Sequence, residues 1–203
     1  TTYVPVDVST SALAEAAERT RNRFPTVQVI GINGEYEHGL KLLAETQPVM
    51  GMFLGSSIGN FDERDEESFL RVLSRKLRPN GRFLLGADLV KDKAVLEAAY
   101  DDRAGVTREF TLNIFERMNH ELGSDVDIDS IEHVAEFSEE RDRIEIYARF
   151  HRRQQIEVRP LGRTMTIDAG EDVLVEISRK FRLDDLTARL DGLGLVVDSV
   201  FTD

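Results

Sequence analysis

The feature that most constrains the fold is an alternation in the first half of the chain. Short apolar runs alternate there with segments whose apolar residues recur at helical spacing. The runs lie at residues 3–8, 27–31, 50–55 and 82–88. The run at 50–55 is nearly all apolar, as expected for a strand that is covered on both faces. Strands that alternate with helices at this spacing predict βαβ units and a parallel sheet.

The pattern changes after residue 90. Residues 91–122 predict two helices, and the chain after Gly123 alternates apolar and polar residues. Four strand-like runs follow one another without helices, at residues 144–148, 155–158, 164–167 and 173–177. Successive strands of this kind predict an antiparallel meander. A helix at 183–193 and a strand at 195–200 return to the first pattern.

These patterns predict an α/β fold with two parts. Residues 1–90 and 181–203 are expected to form a doubly wound, Rossmann-like sheet domain. Residues 91–180 are expected to form an α+β insertion of the kind that binds substrate.

Composition narrows the ligands and partners of the chain. The 203 residues carry 26 Lys and Arg against 38 Asp and Glu, a formal charge of -12. This charge argues against binding to nucleic acid or to an anionic membrane, because both need a basic surface. The absence of cysteine excludes disulfides and thiolate metal sites. The four histidines show no metal-ligand spacing, and we predict no metal site.

No apolar run approaches the roughly 20 residues of a membrane span. The first residues lack the features of a signal peptide, so the sequence predicts a soluble cytoplasmic protein.

Candidate ligand-binding residues follow the predicted strands, because open parallel sheets bind ligands at the carboxyl ends of their strands. Asp7 ends the first strand and can accept both hydroxyls of a ribose; its alternative role is to help begin the next helix. Glu35 can accept from an adenine amino group, with Tyr36 against the base, or it is a solvated turn carboxylate. Small residues at 55–60 let a ligand approach the backbone, and Asp88 closes the fourth strand. Phosphate binding has no support, since neither a P-loop nor G-x-G-x-x-G occurs.

Seven segments, in order and at family-like spacing, resemble one known family. They are YVPVDVS (3–9), GEYE (34–37), FLGSSIGNF (53–61), GADLVKD (86–92), AYDD (99–102), NHELG (119–123) and EISRKF (176–181). Together they resemble the histidine-specific N-alpha-methyltransferases of ergothioneine biosynthesis, which are class I enzymes that use S-adenosylmethionine (SAM). Each segment alone is modest evidence, but the ordered set is specific.

The resemblance implies that the alpha-amino nitrogen of free L-histidine is methylated three times, which gives trimethylhistidine (hercynine). SAM is the implied cofactor. Asp7 would hold its ribose, and Glu35 with Tyr36 would hold its adenine. Methyl transfer is a direct displacement in which the protein mainly aligns the amine with the methyl group, so no metal or covalent nucleophile is implied.

The resemblance also implies substrate-binding residues in both predicted parts of the chain. Gly55 would meet the substrate amino group through its carbonyl, and Asn60 and Tyr100 would hold the carboxylate. Glu176 and Ser178 would bind the imidazole. The spacing of these last two puts both on one face of a strand, which also fits ordinary solvent-facing alternation.

The sequence departs from the family pattern at both ends. Family members have an earlier strand with a glycine-rich SAM turn, whereas Tyr3 already matches their second strand. Residues 202–203 come before their last strand. We therefore expect a sheet that is incomplete at both ends, in a fragment that binds SAM poorly alone. The alternative is that a homodimer or a complementing segment supplies the strands. Ile146 stands where relatives often carry methionine beside the imidazole.

Two other functions remain open at this stage. One is a methyltransferase-like module without activity that binds an amino acid or a partner protein. The other is a relative that methylates another amino acid, since few side chains choose the substrate.

Overall fold

The computed structural model describes residues 1–43, 49–77 and 79–202, and in them the chain is a mixed α/β protein. Its internal contacts divide it into two units. The first unit comprises Thr1–Phe53, Glu67–Leu85 and Arg189–Asp203. The second unit comprises Leu54–Glu66 and Gly86–Ala188.

The first unit contains short parallel strands. They are β1 (Thr2–Tyr3), β2 (Val6–Asp7), β3 (Gln28–Val29), β4 (Ile32–Asn33), β5 (Met50–Phe53) and β6 (Arg82–Leu85). Strand β1 pairs with β3, β2 with β4, and β5 with β6, all in parallel. The parallel pairing that the sequence predicts for its four apolar runs is confirmed within these pairs.

Proline explains why the first predicted strand is observed as two pieces. Pro5 has no N–H to donate, so β1 ends before it and β2 begins after it. The ladder nevertheless continues, because Ile30 donates to the carbonyl of Tyr3 at 3.0 Å and Ile32 donates to that of Pro5 at 2.9 Å. Strands β1 and β2 therefore pair with β3 and β4 in one parallel ladder that Pro5 interrupts.

Helices α1 (Thr10–Arg23), α2 (Tyr36–Leu43) and α3 (Glu63–Lys76) follow these strands. The Ser9 hydroxyl accepts from the N–H of Ala12 at 3.2 Å and caps α1, a role that serine favours. On α3, the ring of Phe69 lies 4.9 Å from that of Phe53 and 6.5 Å from that of Phe83. These rings pack the helix against β5 and β6.

The second unit is built on antiparallel strands. Helices α4 (Lys93–Tyr100) and α5 (Val106–Leu122) come first, then β7 (Ile131–Ser138), β8 (Arg143–Phe150), β9 (Gln154–Val158), β10 (Arg163–Ile167) and β11 (Asp172–Arg179). Helix α6 (Leu183–Gly192) follows. Strands β11, β8 and β7 form one sheet in that order, and β9 and β10 form a separate hairpin.

The core of the second unit lies on one face of β8. Ile144 and Ile146 pack with Leu96 of α4 and Phe137 of β7. Further along the same face, Ala148 and Phe150 belong to a second cluster, which also contains Phe115, Val126, Ile131, Ile156, Val158 and Ile167. The alternation along β8 thus turns every second residue toward the helices.

Two predictions about strands need correction. The strands at 144–177 are not a simple meander, because β8 pairs with β11 across the intervening hairpin. The predicted strand at 195–200 is not formed, and Val196 is 81% exposed. An apolar run becomes a strand only where another strand pairs with it, and no strand of the described residues pairs with this one.

Candidate functional site

Asp7 lies exposed at the end of β2, in the first unit. Its Oδ1 accepts from the N–H of Ser9 at 2.7 Å, so the carboxylate does help to begin α1. Asn33 of β4 donates its amide to the carbonyl of Val8 at 2.8 Å and fixes the chain beside it. Within residues 1–43, 49–77 and 79–202, Oδ2 of Asp7 makes no hydrogen bond. One carboxylate oxygen is therefore open to a ligand.

Glu35 and Tyr36 lie next to Asp7 in space, because the N–H of Gly34 donates to the carbonyl of Asp7 at 3.0 Å. Glu35 is exposed. The ring of Tyr36 packs edge-on against Phe53, with the ring centres 4.9 Å apart, and the residue is 46% exposed. The three predicted cofactor residues thus lie in the first unit, around the carboxyl ends of β2 and β4.

Gly55 and Asn60 flank a tight turn in the second unit. Gly55 has φ +75° and Ser56 has φ 56°, so two successive left-handed residues lead into a short 3₁₀ helix at Ser57–Asn60. A Cβ on Gly59 would lie 2.7 Å from the carbonyl oxygen of Arg179. The turn is therefore seated on the backbone of β11, and Asn60 is exposed beside it.

Tyr100 and Ser178 come together although they lie far apart in sequence. Tyr100 ends α4, Ser178 lies near the end of β11, and their hydroxyl oxygens are 2.8 Å apart. His133 of β7 holds the backbone of Tyr100, since its Nε2 lies 2.9 Å from the Tyr100 carbonyl. That carbonyl can only accept, so Nε2 donates to it, and the Thr111 hydroxyl oxygen lies 3.0 Å from Nδ1 on the other side of the ring.

Glu176 lies on the same sheet face as Ser178. The two residues pair with Ile146 and Ile144, whose side chains form the core under α4. Burial raises the pKa of Glu176 above its ordinary value, although the nearby charge of Lys180 opposes the shift. Glu176 is thus a half-buried carboxylate with no hydrogen-bonding side chain to stabilise its charge among the described residues.

Lys180 and Asp88 complete this group. Asp88 is predicted at the end of a strand without a role, and Lys180 is not singled out among the site residues predicted from the sequence. The Lys180 side chain is 0% exposed, and its Nζ donates to the hydroxyls of Tyr100 and Ser178 at 2.8 and 2.9 Å. It also pairs with Asp88 at 3.0 Å. Burial acts to raise the pKa of Asp88, but Lys180 and Lys91 outweigh it and lower that pKa.

A signal for Lys180 was present in the sequence. Glu176, Ser178 and Lys180 repeat at every second position, so a lysine belongs to the same strand face as the two predicted imidazole residues.

Comparison with known proteins bears on what these residues do. The family model for SAM-dependent, histidine-specific methyltransferases matches residues 1–203. The chain belongs to this family. The resemblance that the sequence motifs indicate is therefore confirmed, and the family is SAM-dependent by its description.

Three relatives illustrate the match. The histidine N-alpha-methyltransferase of Mycobacterium tuberculosis is 38% identical over 193 residues, which are 95% of this chain and 60% of that protein. That of Mycolicibacterium smegmatis is 36% identical over 201 residues, or 99% and 63%. Ergothioneine biosynthesis protein 1 of Neurospora crassa is 34% identical over 128 residues, or 60% and 14%. The chain spans 60% and 63% of the two mycobacterial relatives.

No helix in residues 1–43, 49–77 and 79–202 combines the length and apolar character needed to cross a bilayer. In those ranges no three His, Cys, Asp or Glu side chains are grouped as metal ligands would be.

Proposed function

We propose that this chain carries out SAM-dependent N-alpha-methylation of L-histidine to trimethylhistidine, a step of ergothioneine biosynthesis. The observation that carries the proposal is the meeting of Tyr100 and Ser178, 2.8 Å apart, on the sheet face that also presents Glu176. The names of the mycobacterial and fungal relatives support the same reaction and pathway.

The first unit is the proposed SAM-binding part, as one piece of a doubly wound, Rossmann-like sheet. Its residues fit the ligand: Asp7 has an oxygen open to a ribose hydroxyl, and Glu35 is exposed beside it. Tyr36 keeps part of its ring accessible while Phe53 supports the other part. SAM supplies the methyl group, which is electrophilic because it is bonded to a positively charged sulfonium sulfur.

The second unit is the proposed histidine-binding part. Glu176, as an ionised carboxylate, accepts the imidazole N–H, and Ser178 donates to the other ring nitrogen. Tyr100 and Asn60 donate to the substrate carboxylate, and the carbonyl of Gly55 accepts from the amino group. These contacts turn the lone pair of the amine toward the methyl group, and alignment of this kind is the main contribution a protein makes to a direct displacement.

Selection of histidine follows from the two imidazole contacts. An apolar amino acid in the same place offers no donor to the half-buried carboxylate of Glu176 and no acceptor to the hydroxyl proton of Ser178. Each unpaired group costs about 1–3 kcal/mol, more when it is charged. Histidine is thus preferred mainly because the wrong side chains leave polar groups unpaired.

The full-length protein tests the proposal by calorimetric titration with SAM and with L-histidine, followed by mass spectrometry of the methylated products. We expect both ligands to bind and trimethylhistidine to form. Methylation of another amino acid, with none of histidine, would refute the assignment in favour of a different substrate. Binding without any methylation would indicate a module that has lost activity.

Two reciprocal variants test the assignment of the two units. Glu176→Ala should weaken histidine far more than SAM, by roughly 10-fold or more, because a charged acceptor is lost. Asp7→Ala should weaken SAM far more than histidine. Glu157→Ala, which removes an exposed acid of β9, is the matched control and should change neither. Equal losses for both ligands in either variant would contradict that residue's role.

A further inference from the structure

Lys180 occupies an unusual position for a charged side chain. It lies just after β11, and its side chain is 0% exposed. Lysine is almost never fully buried unless it is paired, because an ammonium loses several kcal/mol of hydration. Its Nζ lies 4.6 Å from the centre of the Tyr100 ring, a cation–π distance that holds the ring in place.

Three oxygens surround this ammonium at hydrogen-bonding distance. They are the hydroxyl oxygens of Tyr100 and Ser178 at 2.8 and 2.9 Å, and Oδ2 of Asp88 at 3.0 Å. An ammonium has three protons to donate and cannot accept. Both hydroxyl oxygens therefore act as acceptors toward Lys180, and their own protons must point elsewhere.

The contact between the two hydroxyls restricts these protons further. Tyr100 and Ser178 lie 2.8 Å apart, so one of them donates its proton to the other. When Tyr100 donates, Ser178 already accepts twice and can offer a ligand only its proton; when Ser178 donates, the same holds for Tyr100. When a substrate carboxylate draws the proton of Tyr100, Lys180 still donates to both oxygens, and each hydroxyl stays a donor toward the substrate.

We infer that Lys180 is a positioning residue that makes Tyr100 and Ser178 hydrogen-bond donors toward the substrate. The inference rests on the proposed function and deepens it by naming what sets the polarity of the histidine site. A carboxylate and an unprotonated ring nitrogen are both acceptors, which two donors match. Glu176 supplies the complementary acceptor for the ring N–H. The site is thereby matched to an amino acid whose ring is a neutral imidazole.

The competing explanation is that Lys180 only neutralises Asp88. Asp88 has a second cation, since Lys91 lies 3.1 Å from its Oδ1, and its side chain is 26% exposed. Removal of Asp88 together with Lys180 separates the two explanations. The double variant leaves neither member of the Asp88–Lys180 pair behind as an unpaired charge, so it recovers the stability lost in the single variant but does not restore the donors.

The experiment measures KM and kcat for L-histidine, the Kd for SAM and the melting temperature of the full-length protein. Lys180→Met should raise the histidine KM roughly 10- to 100-fold, with little change in kcat and in SAM affinity. Asp88→Asn/Lys180→Met should melt near the wild-type temperature and keep the raised KM. Recovery of a normal KM in this double variant would overturn the inference, because Lys180 would then only neutralise Asp88.

A double-mutant cycle with Ser178→Ala tests whether Lys180 acts through the hydroxyls. If it does, Ser178→Ala/Lys180→Met should raise the KM much less than the product of the two single effects, since the groups belong to one network. Independent effects that multiply would count against the inference. Failure of both Lys180 variants to fold would also overturn it, because Lys180 would then be a structural residue. A wild-type protein that does not methylate histidine would refute the proposed function instead, whatever the variants do.

Discussion

Gly59 offers a direct test of how the turn at Ser57–Asn60 is held. Its Cα faces the backbone of β11, and a Cβ there would lie 2.7 Å from the carbonyl oxygen of Arg179 and 3.2 Å from its nitrogen. Real Cβ atoms do not approach so closely, and strand backbone cannot move aside as a flexible side chain can. Gly59→Ala must therefore push the turn away from β11.

The expected cost follows from overpacking at a buried position. Insertion of a methyl group into a well-packed site costs typically about 1–3 kcal/mol. For a chain of 150–250 residues this corresponds to a fall in melting temperature of roughly 2–12 °C. The displacement also moves Asn60, which follows Gly59 directly, so histidine affinity should fall while SAM affinity is retained.

The assay is thermal and urea unfolding of the full-length protein, with calorimetric titration of both ligands. Gly192→Ala is the matched control: it ends α6, and a Cβ there meets nothing within 4 Å. The control should be neutral or stabilise the protein by up to about 1 kcal/mol. Equal stability of Gly59→Ala and Gly192→Ala would refute the claim that the turn is seated on β11.

Three further predictions concern charge and capping. Burial raises the pKa of Glu176. At a pH below its ordinary pKa the carboxyl group is protonated in both the folded and the unfolded state, so its burial as a charge costs nothing there. The stability of wild type relative to Glu176→Gln should fall as pH rises from that value through the raised one; urea unfolding over a pH series would contradict this if the difference stayed constant. Glu66→Ala should cost about 3–5 kcal/mol, since it leaves the buried guanidinium of Arg179 without the buried carboxylate that pairs with it. Its control is Glu63→Ala, which removes an exposed partner 3.7 Å from the same group and should cost under about 1 kcal/mol. Ser9→Ala should cost about 0.5–2 kcal/mol by loss of the α1 cap, and unchanged unfolding would exclude that cap.

Local chemistry explains why helix ends could be predicted. Ser9 caps the start of α1, and α1 ends at Arg23, shortly before Pro25, which has no N–H to continue a helix. The two helices predicted within 91–122 are observed as α4 and α5. Each of these boundaries depends on groups within a turn of one another, and such groups are adjacent in sequence.

Strand pairing could not be predicted to the same depth. Alternation fixes which side chains share a face, but the partner of a strand lies elsewhere in the chain. Strand β11 pairs with β8 across the β9–β10 hairpin, and nothing in the period of either strand selects that partner. The same limit explains why the strand predicted at 195–200 is not formed. Its apolar residues have strand propensity, but no strand among the described residues pairs with them.

The candidate substrate site shows a second limit of sequence reasoning. Residues that would touch the ligand can be named from the sequence because its motifs resemble those of a known family, which implies their roles. The group that sets the direction of their protons is harder to identify, since Lys180 and Tyr100 are 80 positions apart and meet only after β11 and α4 have packed. A hydroxyl is a donor or an acceptor according to its neighbours. The direction of the Ser178 proton therefore depends on Lys180 and Tyr100, which only the folded chain brings next to Ser178.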